Sequence, residues 1–170
     1  AATAALSVYP EGSDIVYVAT GRAFPDALTA TAAAGHEAGP VLLTDPDRVP
    51  RATREALQSL TPSQIIVAGG SGAVSDAVLT ELEAYTTGDV TRLSGGDRYA
   101  TAAVIAERFD SPEVVYVATG LDYPDALAAG ARAGAGGAPV LLVKQDAIPG
   151  STASALESLT PDAIVVVGGT

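Results

Sequence analysis

A long internal repeat constrains the fold of this chain more than any other feature of its sequence. The sequence VYVATG at residues 16–21 returns at 115–120, and PVLL at 40–43 returns at 139–142, each 99 residues later. This spacing holds without a gap from residue 15 through residue 70, and more than half of the paired residues are identical. A repeat of this length predicts that the chain folds as two copies of one structural unit.

A shorter repeat sets the expected domain boundaries. The sequence ATAA at residues 2–5 returns at 100–103, where it follows RLSGGDRY. We therefore predict a first domain at residues 1–91, without the head that precedes this helix in the second copy. The second domain is predicted at residues 92–170, without the last helix and strand of the first copy.

Short apolar segments rich in Val and Ile alternate with amphipathic stretches in both copies. The apolar stripe of residues 53–60 returns unchanged at 152–159, as expected of a helix face that packs on a core. The apolar segments predict strands covered on both faces, as in a parallel sheet: residues 15–19, 41–44, 65–68, 114–118, 140–143 and 164–167. The alternation predicts α/β units built from βαβ crossovers, with parallel sheets flanked by helices and an extra edge strand at 90–93.

Composition excludes several classes of function. The chain has no Cys and a single His, His36, so thiol chemistry and cysteine zinc sites are absent and histidine-based catalysis has little support. His36 is predicted at the surface. Twenty acidic residues against nine basic ones give a net charge of −11, which argues against a nucleic-acid partner. No apolar run approaches ~18 residues, so no membrane insertion is expected.

The candidate binding residues lie where the strands of each copy end, because open parallel sheets usually bind ligands at that edge. Two kinds of residue recur there: a Thr-Gly pair after the first strand, and an Asp in the first turn of the next helix. They are Thr20, Gly21 and Asp26 in the first copy, and Thr119, Gly120 and Asp125 in the second. Each Asp either stabilises a helix start or faces a ligand.

Two glycine-rich loops hold further candidates. The backbone amides around Gly69 and Gly70 can bind an anion, or they can form a tight turn ahead of a capped helix. Arg92, Asp97 and Arg98 surround a second Gly-Gly pair. Their side chains either hold that loop through an ion pair or contact a neighbouring module or an anionic ligand.

The acidic residues at the strand ends do not repeat in the way an active site requires. The one Asp-x-Asp sequence, at Asp45 and Asp47, becomes Lys144 and Asp146 in the second copy. A catalytic carboxylate would therefore exist in one copy only, and a hard cation needs several converging oxygen ligands. We predict no catalytic residue, no metal site and no cofactor.

Taken in order, these motifs resemble those of the bacterial cell-wall-binding repeat 2 family. The matching sequences are RLSGGDRYATA at residues 92–102, YPDAL at 123–127, GGSGAVSD at 69–76 and the two PVLL segments. The resemblance implies a Toprim-like, and hence Rossmann-like, α/β fold, with modules that commonly pack in threes around a pseudo-threefold axis. It also implies a non-enzymatic anchor that holds a secreted or surface protein to cell-wall polysaccharide.

The resemblance further implies where the polymer binds, since the family's site has been linked to a Pro-Ile-Leu-Leu motif. The corresponding residues here are Pro40, Val41, Leu42, Leu43, Pro139, Val140, Leu141 and Leu142. Strand leucines belong in a core, so we expect polar groups at the strand ends to make the contacts. The alternative is a structural protein that assembles into a surface layer or filament through further repeats or subunits, which would cover the open edge of the second copy.

Overall fold

The computed structural model describes the backbone of residues 1–121 and 124–168, and the side chains of these residues except 124–128 and 131. The first unit comprises α1 (Ala2–Val8), β1 (Ile15–Thr20), α2 (Phe24–His36), β2 (Val41–Thr44), α3 (Arg51–Leu60), β3 (Gln64–Ala68), α4 (Asp76–Leu82), a 3₁₀ turn (Glu83–Tyr85) and β4 (Asp89–Leu93). The second unit comprises α5 (Arg98–Ala106), β5 (Val114–Thr119), α6 (Pro124–Gly136), β6 (Val140–Val143), α7 (Gly150–Leu159) and β7 (Ala163–Val167).

Each unit contains one parallel sheet, and the three strands that the described parts of both units share have the same order. The first sheet is β2-β1-β3-β4 and the second is β6-β5-β7. The register also repeats, since Tyr17 lies opposite Val41 and Tyr116 lies opposite Val140. The predicted α/β class, all six predicted strands and the edge strand β4 are confirmed.

The two faces of the first sheet are buried against different helices because side chains alternate along each strand. Val16 and Val18 of β1 point into a cluster with Leu57 of α3 and Val78 of α4. Tyr17 belongs instead to the cluster that contains α2. Both faces are therefore covered, which explains why the strands are nearly all apolar.

Helix α2 joins the two units into one core. Its residues Leu28 and Ala33 share a buried cluster with Tyr99 and Ile105 of α5 and with Ala133 of α6. The helices approach closely because small residues meet: a Cβ on Gly35 would lie 2.8 Å from the Cα of Gly134. Gly134 is the repeat counterpart of Gly35, so equivalent positions of the two units meet at this crossing.

The units differ at their third strand, which is β3 in the first unit and β7 in the second. Ile65 and Val67 of β3 are fully buried, whereas their counterparts in β7, Ile164 and Val166, are 51% and 73% exposed. In the first unit, α4 covers this face and β4 pairs with the edge of β3.

Within the described part of the chain, no helix has the length and apolar character needed to cross a membrane.

Candidate functional site

The carboxyl ends of the two sheets lie close together at the junction of the units. Arg98, the first residue of α5, donates a hydrogen bond from Nη1 to the carbonyl oxygen of Gly120, which follows β5, at 2.6 Å. The same guanidinium acts electrostatically on the carboxyl of Asp26, in the first turn of α2. Arg98 thus connects the strand end of one unit with that of the other.

Asp26 lies half-buried against the glycine loop that follows β3. A Cβ on Gly69 would lie 2.5 Å from Asp26 Oδ2, and Gly69 has a φ of +111°, so only glycine suits this position. Burial raises the pKa of the Asp26 carboxyl, and the charge of Arg98 opposes that rise. Its counterpart Asp125 has its side chain outside the described residues.

The Thr-Gly pairs form the same tight turn in both units. The amide of Gly21 donates to Thr44 O at 2.9 Å, and the amide of Gly120 donates to Val143 O at 2.9 Å. The hydroxyl oxygens of Thr20 and Thr119 each accept from the amide two residues further on, at 3.2 Å. These contacts hold the strand ends together.

Most of the PVLL residues are buried, as expected for strand leucines. Pro40 and Pro139 precede their strands, and the carbonyl oxygen of each accepts a hydrogen bond from the neighbouring first strand. The buried members are Pro40, Leu42, Pro139, Val140, Leu141 and Leu142. Val41 is half-buried, and Leu43 is 39% exposed, although its counterpart Leu142 is fully buried.

The glycine loop after β3 is closed by its own contacts. Gly70 accepts hydrogen bonds from the amides of Ala73 and Val74 through its carbonyl oxygen, and Ser75 caps α4 by accepting from the amide of Val78. Of the two alternatives for this loop, the geometry is that of a tight turn ahead of a capped helix.

The arginine and aspartate of the second glycine loop also make internal contacts. Arg92 donates from Nη1 to the carbonyl oxygens of Gly69 and Val74 at 2.8 and 2.9 Å, and from Nη2 to Asp76 at 2.9 Å. Asp97 caps α5 by accepting from the amide of Ala100 at 2.8 Å. The ion pair of Arg92 is thus with Asp76, beside the glycine loop that follows β3, and not with Asp97. Arg98 lies between the strand end of its own unit and Asp26 of the first unit.

A charged cluster of two arginines and two aspartates at the end of β2 was missed by the sequence reasoning. Arg22 and Arg48 flank Asp45, with N–O distances of 3.4 and 2.9 Å, and their side chains are 70% and 78% exposed. The hydrogen bond from Arg48, together with the charge of both arginines, lowers the pKa of Asp45. These residues, with Pro46 and Asp47, line an open pocket of about 410 Å³ at the end of the PVLL strand.

The signal that could have revealed this cluster is the position of the two arginines. Arg22 follows β1 by two residues and Arg48 follows β2 by four, so neighbouring parallel strands bring them to the same edge. In the second unit, Lys144 follows β6 directly, and its ammonium lies 5.9 Å above the ring of Tyr99. Each unit therefore carries at least one exposed basic side chain at the end of its PVLL strand.

Among the described residues, no group of three or more His, Cys, Asp or Glu side chains is arranged to hold a metal ion. The exposed charged groups at the strand ends are arginine, lysine and aspartate, which recognise ligands through charge and hydrogen bonding. A duplicated parallel α/β unit with such groups at one end defines a repeat-built binding module.

The chain belongs to the family described as Cell wall binding domain 2, whose pattern matches residues 1–79 and 92–170. It is 36% identical over 126 residues to the "Amidase enhancer" of Bacillus subtilis, covering 74% of this chain and 18% of that protein. It is 29% identical over 163 residues to "N-acetylmuramoyl-L-alanine amidase LytC" of the same organism, covering 96% of this chain and 32% of that protein.

Among solved structures, the chain is similar to "Cwp6 from Clostridium difficile", with a TM-score of 0.89 and 29% identity. That match covers 97% of this chain and 26% of the Cwp6 chain. This chain therefore spans about a third or less of the length of each of these relatives.

Proposed function

We propose that this chain is a non-catalytic module that holds a secreted or surface protein to the cell wall by binding wall polysaccharide non-covalently. The polymer lies along the carboxyl ends of the two sheets. The observation that carries this proposal is the cluster of Arg22 and Arg48 at the end of the PVLL strand, beside the partly exposed Leu43. Guanidinium groups bind the phosphate or carboxylate of an anionic polymer through paired hydrogen bonds.

The distribution of charge supports this orientation. Five of the nine basic residues lie at the carboxyl ends of the strands or in the loop that joins the units: Arg22, Arg48, Arg92, Arg98 and Lys144. The amino ends carry acidic residues immediately before or at the start of four strands: Asp14, Asp89, Glu113 and Asp162. Aspartates such as Asp26, Asp45 and Asp97 also lie at the carboxyl ends, so this end is distinguished by its basic side chains and not by a net positive charge. Those side chains give an anionic polymer local contacts on a chain whose net charge is −11.

The half-buried Asp26 supplies a second kind of contact at this end. No hydrogen bond joins its carboxylate to another described side chain, and the charge of Arg98 acts on it. A carboxylate in this setting accepts hydrogen bonds from sugar hydroxyl groups, while the arginines bind the anionic groups of the polymer. The two contacts together favour a charged polysaccharide over a small anion.

Binding to isolated Gram-positive cell walls tests the proposal. The variant Arg22→Ala/Arg48→Ala should weaken co-sedimentation with walls by roughly tenfold or more, because two charge-assisted contacts are lost. The matched control, Arg54→Ala/Arg132→Ala, removes the same charge from helix surfaces and should bind like the unmodified chain. Equal binding by both variants would contradict a site at the strand ends.

Self-assembly is a second candidate function, favoured by the asymmetry of the contact between units. Helices α1 and α5 each pack on equivalent elements of their own unit, α3 and β2 or α7 and β6. Helix α5 also packs on α2 of the other unit. Leu6 and Val8 of α1 are 36% and 68% exposed. A head-to-tail contact of this kind leaves one open face at each end, which a further repeat or subunit can occupy.

Sedimentation velocity separates the two functions. Assembly requires association that depends on concentration, and Val8→Asp should weaken this association while leaving wall binding unchanged.

We also propose that the boundary between the domains lies at residues 91/92. The family pattern resumes at residue 92, although β4 pairs with β3 of the first unit through residue 93.

A further inference from the structure

One part of the contact between the units is not repeated in the sequence. The helix crossing itself is generic, because Gly35 and Gly134 are counterparts and most neighbouring residues are alanine in both units. At the end of α2, by contrast, His36 and Glu37 have Ala135 and Gly136 as their counterparts. The two consecutive residues at the end of α2 thus have no counterpart of similar chemistry in the second unit.

The side chains of His36 and Glu37 contact the second unit where α5 ends. The ring of His36 stacks on Phe109 with 4.6 Å between centroids. Glu37 accepts hydrogen bonds from Nε of Arg108 at 2.9 Å and from the second nitrogen of the same guanidinium. We call His36, Glu37, Arg108 and Phe109 the junction cluster.

A buried tyrosine completes the junction cluster from the core of the first unit. Tyr17 is fully buried, and its hydroxyl donates to the other carboxylate oxygen of Glu37 at 2.5 Å. Burial, reinforced by the negative charge of Glu37, raises the pKa of this hydroxyl. The side chain of Glu37 is only 20% exposed, so its carboxylate depends on Tyr17 and Arg108 in place of water.

The first unit does not itself carry the partner that Glu37 requires. Where the second unit has Arg108 and Phe109 after α5, the first has Tyr9, Pro10 and Glu11 after α1. A first unit docked on another first unit in this geometry would leave Glu37 without a cation and close to a second carboxylate. Removing the partner of a shielded charge is costly, because the remaining charge stays desolvated.

We propose that the junction cluster fixes the order in which the units dock. The end of α2 accepts a unit that presents an arginine followed by an aromatic residue, and that unit is the second. Docking of one second unit on another would leave Arg108 opposite Gly136. The end of α6 thus offers no carboxylate to a docking arginine, and it suits a unit whose corresponding residue is uncharged, as Pro10 is in the first unit.

Charge reversal in the full chain tests this inference through hydrogen exchange of the α2 amides at residues 28–36. Glu37→Arg alone and Arg108→Glu alone should each lower protection by about tenfold or more, because each places two like charges together. The combined variant Glu37→Arg/Arg108→Glu should recover protection to within about threefold of the unmodified chain.

Two further variants distinguish selection of a partner from simple stabilisation. Glu37→Gln/Arg108→Gln should also stay within about threefold, because a matched neutral pair leaves no charge unpaired. Reversing the exposed pair Arg51 and Glu55 one residue at a time is the control and should leave α2 protection unchanged. The inference is overturned if the Gln/Gln variant exchanges as fast as the single reversals, or if those reversals match the control.

Discussion

At the scale of single residues, the carboxylates at the strand ends are held in opposite electrostatic settings. Burial raises the pKa of Asp26, whereas hydrogen bonding to Arg48 lowers the pKa of Asp45. An aspartate with a raised pKa lowers stability as it ionises, and one with a lowered pKa adds stability as it ionises. Asp26 is therefore kept at a cost in stability, which is typical of residues that serve binding.

We predict that Asp26→Asn raises the free energy of unfolding at neutral pH and weakens wall binding. The pKa of the native carboxyl is raised above its ordinary value of 3.8, so the folded protein holds this proton more tightly than the unfolded chain does. The free energy of unfolding therefore falls as the pH rises from about 3.8 through the raised pKa. The gain from Asn should therefore vanish below about pH 3.8. Urea unfolding at a series of pH values measures this gain in the free energy of unfolding.

Asp45→Asn is the matched control for this prediction, and its effect should have the opposite sign. The lowered pKa of Asp45 means that the ionised group stabilises the fold above its unfolded pKa, and that this contribution disappears as pH falls through the folded pKa. If Asp26→Asn instead lowered the free energy of unfolding at neutral pH, the ionised carboxylate of Asp26 would be stabilising the fold. That result would contradict the claim that its burial destabilises the ionised form.

At the scale of elements, a repeated threonine fixes the end of the PVLL strand in both units. Thr53 in α3 donates from its hydroxyl to Leu43 O at 2.6 Å, and Thr152 in α7 donates to Leu142 O at 2.7 Å. Both threonines are buried, at 4% and 0% exposure. These hydrogen bonds join the second strand of each unit to the helix that follows it.

We predict that Thr152→Val lowers the free energy of unfolding by about 1–3 kcal/mol, because the carbonyl of Leu142 loses its side-chain donor in a dry site. The control is Thr31→Val, since the hydroxyl of Thr31 bonds to Ala27 O on an exposed helix face. It should change stability by less than about 0.5 kcal/mol. Equal losses in the two variants would contradict this role for Thr152.

Much of the architecture could be predicted from the sequence because the repeat exposes the core directly. Residues such as Leu57 recur at their counterparts because packing requires them, whereas exposed positions such as Arg54 differ freely. The cluster of Arg22 and Arg48 could not be read from the repeat, since neither residue has a basic counterpart. The unequal burial of Leu43 and Leu142 depends on neighbouring elements, which a single strand sequence does not reveal.

The same distinction applies to the junction between the units. The repeat predicts two similar units but not how they pack, because the small residues of α2 and α6 could equally face solvent. Contacts such as those of Glu37 with Arg108 join residues 71 positions apart that share no motif. They were recognisable only as departures from the repeat, since His36 and Glu37 are replaced by Ala135 and Gly136.

At the scale of the whole molecule, the two units share one core, and basic side chains lie at the carboxyl ends of both sheets. A shared core places both sets of strand ends on the same side, with Arg98 between them. The basic side chains of both units then lie on the same side of the molecule, an arrangement that suits a long polymer. Binding should weaken steeply with salt, because exposed charges are screened within about 8–10 Å at physiological ionic strength.

The most direct test of this account is an NMR titration of the ¹⁵N-labelled chain with purified anionic wall polysaccharide. The amides of Gly21, Asp45, Arg48 and Lys144 should shift progressively, while those of Asp14, Glu113 and Asp162 at the opposite end should stay unchanged. Added salt should reverse the shifts. Shifts centred on the amino ends of the strands, or none at polymer concentrations at which the chain co-sediments with walls, would contradict a polysaccharide site at the strand ends.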